Sequence, residues 1–436
     1  MKSPRSVLSR RSFSELLFGG TGLAALATGL SPLFLRSPLA WAAETPPSCD
    51  AQSAQYLILS NSSQGDPINA NCPGTYEDSR IVHPAGEDFA STELNLGGVT
   101  TRAARLWSTL PSTALGRACF IHHATRTVVH PDMPKVLSLL GATNDDEMLP
   151  TLLAAELAPC LGTLQALPLA LGSVTLAAGG NVLPTLTPTA LRALLLKSSS
   201  PLVNLRAVRD RHLDAVSAVL RKDGTPSQRR YLDARAASRD QARKLADDAE
   251  SIFSAVTDNG PLSQITAAVG LVRLKVAPVL SVTLPFGGDN HADDGLVNES
   301  TQHADGIAAL AHLVNLLDQN GLSDKVTFAS LNVFGRTLLR KGTSGRDHWP
   351  RHAVSLLMGS RIRAGVVGGV VPYQDDYTSV GIDSGSGRAM DGGGDVPYEE
   401  TLGAVGKTIG AAVGVAQPRL DEAITAGKAL RAALAG

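Results

Sequence analysis

Asp289 and His291 stand two residues apart in Phe286-Gly287-Gly288-Asp289-Asn290-His291, directly after an apolar run that reads as a strand. In an extended backbone, residues two apart project the same way, so a carboxylate and an imidazole converge beside glycines. That pairing is half of a site for a divalent metal such as zinc. A second loop, Gly345-Arg346-Asp347-His348, with His352 four residues on, repeats the chemistry. Neighbouring Asp and His cannot share one face of a regular strand, but a turn aims both inward. Asp293 and Asp294 make the first loop acidic enough for calcium as a rival ion. The plainer alternative is that Asp and His in glycine-rich loops only form turns by hydrogen-bonding their own backbone.

Such loops need a frame that brings them together. The run from Gln55 to Ser60 reads as a strand, followed by a polar loop from Asn61 to Thr75. A helix is expected from Thr100 to Leu110 and a second strand from Ala118 to His122, giving an opening β-α-β of a parallel sheet. The stretch from Asp145 to Leu274 reads as mostly helical. Leu205, Val208, His212, Val216 and Val219 recur at helical spacing there, with arginines on the other faces, so His212 reads as a boundary residue. From Val276 onward strand and helix alternate again: strands at Val279 to Leu284, Val326 to Leu331 and His352 to Met358, and helices at Thr301 to Gln319 and from Glu399. The expected fold class is α/β, a doubly wound, mostly parallel sheet interrupted by a helical insertion. The expected parts are residues 1–42, 43–150, 151–275 and 276–436, the third being the insertion. In such a sheet the site lies in loops at the carboxyl ends of the strands.

The first part reads as a twin-arginine export signal: Ser9-Arg10-Arg11-Ser12-Phe13, a glycine- and alanine-rich apolar stretch from Leu16 to Leu35, and Ala40-Trp41-Ala42 as the cleavage site. An uncleaved anchor would normally hold about 20 strongly apolar residues. The expected partner is therefore the twin-arginine translocase during export, with a periplasmic or secreted location and no permanent membrane span. Residues 43–436 carry 34 Lys+Arg against 39 Asp+Glu, a net charge of about −5, which excludes a nucleic-acid partner whose phosphates need a basic face. Cys49, Cys72, Cys119 and Cys160 show no metal spacing. In an oxidising compartment Cys49 with Cys72 is the favoured disulfide, both lying in loop sequence flanking the first strand; buried free thiols are the alternative.

Several segments together resemble a known family. Asn332-Val333-Phe334-Gly335-Arg336, Gly342-Thr343-Ser344-Gly345-Arg346-Asp347-His348, Leu357-Met358-Gly359 and Ala364-Gly365-Val366-Val367-Gly368-Gly369 are similar to the C-terminal elements of the sulfatase-like family labelled domain of unknown function fifteen-oh-one. Asp289-Asn290-His291 resembles its D-T-H element, and Leu57-Ile58-Leu59 leading to Gly65-Asp66-Pro67-Ile68-Asn69 resembles its first strand and loop. His130, in V-V-H-P-D-M, falls near the family's histidine after the second strand. The resemblance implies an alkaline-phosphatase-like fold and a metal-dependent hydrolase of phosphate or sulfate esters, acting on a small-molecule ester or a cell-surface component. Asp66, Asp289, His291, Asp347 and His348 are then the implied metal ligands, for zinc or manganese ahead of calcium. Arg336 would clamp an anion, since its planar fork matches tetrahedral oxyanions, and Thr125 or Thr127 would be the nucleophile by position. Val333 stands where the family has Glu, and no sulfatase C/S-x-P-x-R motif is present. A non-catalytic secreted binding or assembly protein on the same fold is the competing reading.

Overall fold

A computed structural model describes residues 49–50, 52–195, 203–226, 228–229, 232–233, 252–341 and 344–436. The twin-arginine segment, with Arg10 and Arg11, lies outside the described residues. Two compact units divide the chain. The described part of residues 189–255 is helical, with a long helix Val203–Asp223 that carries an exposed His212. The larger unit, residues 45–188 and 256–436, carries the sheet.

Seven strands build that sheet: β1 (Tyr56–Ser62), β2 (Ala118–His123), β3 (Leu169–Ala170), β4 (Val279–Val282), β5 (Val326–Asn332), β6 (Ala353–Met358) and β7 (Gly365–Val367). Their spatial order is β7-β2-β6-β5-β1-β4-β3. All run in one direction except β6, which pairs antiparallel with both β2 and β5. The fold is thus α/β with a mixed, mostly parallel sheet. β1 is buried along its whole length, as expected of a strand covered on both faces. On one face Leu57, Leu59, Ile121 and Leu331 join a core with Leu149, Leu153 and Leu157 of α1 (Leu149–Leu161), and Val405 and Ile409 of α4 (Thr401–Ala412). Against β4 packs α2 (Pro261–Arg273), which also packs on α3 (Val297–Gln319). Trp107 meets Phe120 of β2 edge-on at 4.9 Å and stacks on Phe286 at 5.9 Å.

Three local expectations are corrected. Residues 91–104 form a hairpin, Ser91–Leu96 paired with Val99–Ala104, and only Arg105–Thr109 coils as a 3-10 turn. The overlooked signal is Gly97-Gly98: both have positive φ, 59° and 96°, the geometry of a two-residue hairpin turn that glycine adopts without strain. The opening unit is also not β-α-β, because β5 and β6 lie between β1 and β2. Finally, the disulfide joins Cys49 to Cys160 at the end of α1, with Cα atoms 6.2 Å apart, whereas Cys72 and Cys119 are buried thiols. Cys72 lies fully inside the loop that follows β1, out of reach of a surface partner. Closing 111 residues of chain, the bond stabilises the fold by about 2–5 kcal/mol.

Candidate metal centre

Because β1, β2, β4 and β5 are parallel, their carboxyl ends open on one edge of the sheet. The loops that follow them hold Asp66, His130, Asp289 and Arg336. The antiparallel β6 begins at that same edge, with Ala353 opposite His123, so the loop preceding it delivers His348 there too. Two glycines let these loops touch. A Cβ on Gly287 would strike Pro67, and one on Gly345 would strike the carbonyl of Asn290. Across the second approach run backbone bonds from Gly345 N to His291 O (3.0 Å) and from Arg346 N to Asn290 O (3.3 Å).

Among the described residues, His130, Asp289 and His348 bring three potential ligand atoms within 4.8 Å of one another. Both imidazoles are pre-set for the task. His130 Nδ1 bonds the carbonyl of Ser63 at 2.7 Å, and His348 Nδ1 bonds that of Val128 at 2.6 Å. A carbonyl accepts only, so each Nδ1 carries a proton, and it is Nε2 that holds the lone pair in the neutral ring, the arrangement common behind metal-bound histidines. His348 Nε2 is buried and has no hydrogen-bond partner among the described residues; leaving such an atom unsatisfied costs about 1–3 kcal/mol. Burial first, then the charges of Arg336, His291 and His130, hold the His348 pKa below its ordinary value against the Val128 hydrogen bond, which raises it, so it is neutral and ligand-ready. The donor set of two imidazoles and a carboxylate therefore fits a zinc-type ion.

Of the five ligands expected from sequence, Asp289 and His348 belong to this cluster. His291 and Asp347 pair with each other beside it: His291 Nδ1 lies 3.1 Å from Asp347 Oδ1 and its Nε2 3.4 Å from Asp289 Oδ1. Lys341 bonds the other Asp347 oxygen at 2.6 Å and, with His291, lowers the Asp347 pKa. Asp66 is not among the converging atoms; it is buried and accepts the Ser62 hydroxyl at 2.8 Å. His130 was absent from the expected set, although its place after the second strand was the available signal. Asp293 and Asp294, the basis for calcium, are engaged elsewhere. Asp293 accepts the amides of Asn298 and Glu299 at the start of α3, both at 2.8 Å, and Asp294 meets Arg340 at 3.4 Å.

The expected catalytic groups are corrected more strongly. Arg336 is fully buried, and its guanidinium donates to the carbonyls of Gly65 (2.6 Å), Gln64 (2.7 Å), Gly288 (3.1 Å) and Arg346 (3.3 Å), and to Asp289 (3.4 Å). With its N–H groups so engaged, it fastens three loops instead of clamping an anion. Thr127 donates to Asp132 at 2.7 Å and accepts the Val129 amide, capping its own loop. Thr125 is fully buried, out of reach of a substrate. Val333 sits in the main core with no exposure, so a glutamate there would enter apolar packing.

His352 is not a site residue. His122 Nε2 donates to Pro73 O (2.9 Å), so His122 Nδ1 accepts from His352 Nε2 (2.9 Å), and His352 Nδ1 accepts from Asn69 Nδ2 (3.2 Å). Asn69 in turn bonds the Arg336 backbone at both N–H and C=O. Burial holds His83, His122 and His123 down to about 4 and His303 to about 3, and keeps His352 well below the ordinary 6.5. Each of these histidines is neutral when folded and takes a proton more readily when unfolded, so its stabilising contribution is complete above pH 6.5 and is lost as pH falls towards 4. Burial raises Asp66 and Asp376 to about 7; they act in the opposite sense, their contribution being lost as pH rises from 3.8 through 7. Five histidines outweigh two carboxylates. The urea midpoint of unfolding should fall steadily from pH 6.5 to pH 4, and a flat profile across that window would contradict the buried-neutral assignment.

Among the described residues no helix is long and apolar enough to cross a membrane. No curated protein matches the chain. Residues 204–380, which include Asp289, His291, Arg336, Asp347 and His348, match the model of the family described as Protein of unknown function (DUF1501), and this match supports that family for the chain.

Proposed function

We propose that the chain is an exported, metal-dependent hydrolase of phosphate or sulfate esters, using zinc or manganese ahead of calcium and acting on a small-molecule ester or a cell-surface component. One observation carries this reading: His130, Asp289 and His348 converge, with both imidazoles oriented by carbonyls. Three protein ligands leave a coordination position open, the pattern of catalytic zinc sites as opposed to closed structural ones. When bound, such an ion supplies polarisation of an ester oxygen and a lowered pKa for water. The chain supplies the rest. Ser63 and Val128 hold the two imidazoles in one tautomer. Asp289, with half its side chain exposed, contributes negative charge and opens the site to solvent. Asp347 holds His291 beside Asp289, and Lys341 offsets the Asp347 charge. With Thr127 engaged and Thr125 inaccessible, the attacking oxygen on this reading is that of water.

The engagement of Arg336 and both threonines, together with Val333 in the core, favours the second reading, a non-catalytic secreted binding protein on the same fold. Hydrolysis of a generic aryl phosphate and an aryl sulfate by metal-loaded protein separates the two. The hydrolase reading expects turnover that chelation abolishes, that His348→Ala removes, and that Thr127→Ala retains. Stoichiometric metal without turnover of either ester would install the binding-protein reading in its place.

A further inference from the structure

Behind the loop that carries Asp289, unpartnered buried polar atoms gather around one ion pair. Glu299 and Arg346 meet at 2.7 Å with neither side chain exposed. Asn71 donates to one Glu299 oxygen (2.7 Å) and Asn290 to the other (3.1 Å). A carboxylate only accepts, so both amides are fixed with nitrogen towards Glu299 and oxygen away. Asn71 Oδ1 and Asn290 Oδ1 are both buried without a partner among the described residues. One helical turn along from Glu299, His303 is fully buried and neither ring nitrogen has a partner among the described residues. Its ring lies 5.5 Å from Trp107, whose indole N–H holds the Asn71 carbonyl at 2.8 Å, and 5.6 Å from both Phe89 and Phe286. Tyr76, stacked on His83 at 3.6 Å, adds a hydroxyl with no partner among the described residues.

We propose that Asn71, Asn290 and His303 enclose a permanent cluster of internal water, seated on the Glu299–Arg346 pair as part of the folded structure. The chemistry selects this guest. The two amide oxygens need a donor, and a neutral imidazole needs both a donor and an acceptor, so the guest must do both. An anion would face two bare carbonyl oxygens and Glu299. A cation would lie beside Arg346 and could not accept from the imidazole. Left without partners, this many buried polar atoms would cancel much of the net stability of a domain, whereas buried water commonly makes two to four bonds to groups of this kind. Asn290 adjoins Asp289, so the water fixes the metal-site loop from behind, although the inference holds whether or not a metal binds.

Two measurements on the full protein test it. A high-resolution crystal structure of the wild type should show ordered water within hydrogen-bond distance of Asn71 Oδ1 and Asn290 Oδ1. Thermal unfolding of His303→Phe should give a lower midpoint than wild type, because phenylalanine fits the aromatic surroundings but removes the imidazole bonds to water. In a dry site the same change would delete two unsatisfied nitrogens and raise the midpoint. Water-free density at the two amide oxygens, or a His303→Phe variant that melts higher than wild type, overturns the proposal. Should the variant not fold, the density alone decides.

Discussion

Replacing Arg346 by methionine will lower the stability of the fold by about 3–5 kcal/mol, the cost of breaking a buried ion pair from one side. Arg346 is one of the largest fully buried side chains. Its guanidinium satisfies Glu299 and the carbonyls of Thr337, Leu338 and Val82. Methionine fills similar volume but leaves Glu299 as a buried carboxylate supported only by two amides, and it takes a donor from three carbonyls, of which that of Leu338 keeps the Val82 amide. That loss is a large share of a net stability of about 5–15 kcal/mol. The double variant Arg346→Met with Glu299→Leu should be less damaging than the single one, because removing both charges removes the desolvation cost with them. Lys428→Met is the control: its contact with Asp395 spans 3.4 Å at the surface, where such pairs contribute about 0–1 kcal/mol. Urea unfolding of the set checks the ordering. An Arg346→Met variant as stable as Lys428→Met would show that the buried pair does not hold these loops.

That Arg346 is structural was invisible in the sequence, and the reason is physical. In Gly345-Arg346-Asp347-His348 all three polar residues look equally able to act, and only the path of the chain decides which side chain faces inward. The strands were readable because β1, β5 and β6 are short, largely apolar runs, and α3 because its apolar residues recur at helical spacing. The hairpin at residues 91–104 was not, since its polar, half-exposed strands show weak alternation and the decisive feature is a pair of glycines. Asp289 and His348 were legible from their loops after or before strands. His130 was less so, because its role depends on the Ser63 carbonyl 67 residues away. Arg336 misled for a general reason: an arginine beside a candidate site reads as an anion clamp until its donors are followed to their acceptors. The Cys49–Cys160 bond lay beyond reach as well, since pairing depends on where the end of α1 packs.

The second large effect concerns the cluster itself. Removing a hydrogen-bond partner behind a metal-bound histidine typically costs about 10–100-fold in metal affinity, so removing the ligand should cost more. His130→Ala, Asp289→Ala and His348→Ala are each expected to lose the ion while the fold persists, since these side chains lie in loops at the sheet edge and not in the apolar core. His291→Ala should weaken binding less, because His291 pairs with Asp347 next to the cluster. His312 is the internal control: it lies on α3, half-buried, with its Nε2 3.3 Å from Thr266 Oγ1 on α2, and is not one of the converging groups.

The most direct test is the metal content of purified protein after equilibration with zinc or manganese and removal of loosely held ions. About one ion per chain is predicted for wild type and for His312→Ala, as expected for a three-ligand site, with loss of that ion in His130→Ala, Asp289→Ala and His348→Ala. Equal metal content in wild type, His312→Ala and the three ligand variants would contradict the metal centre.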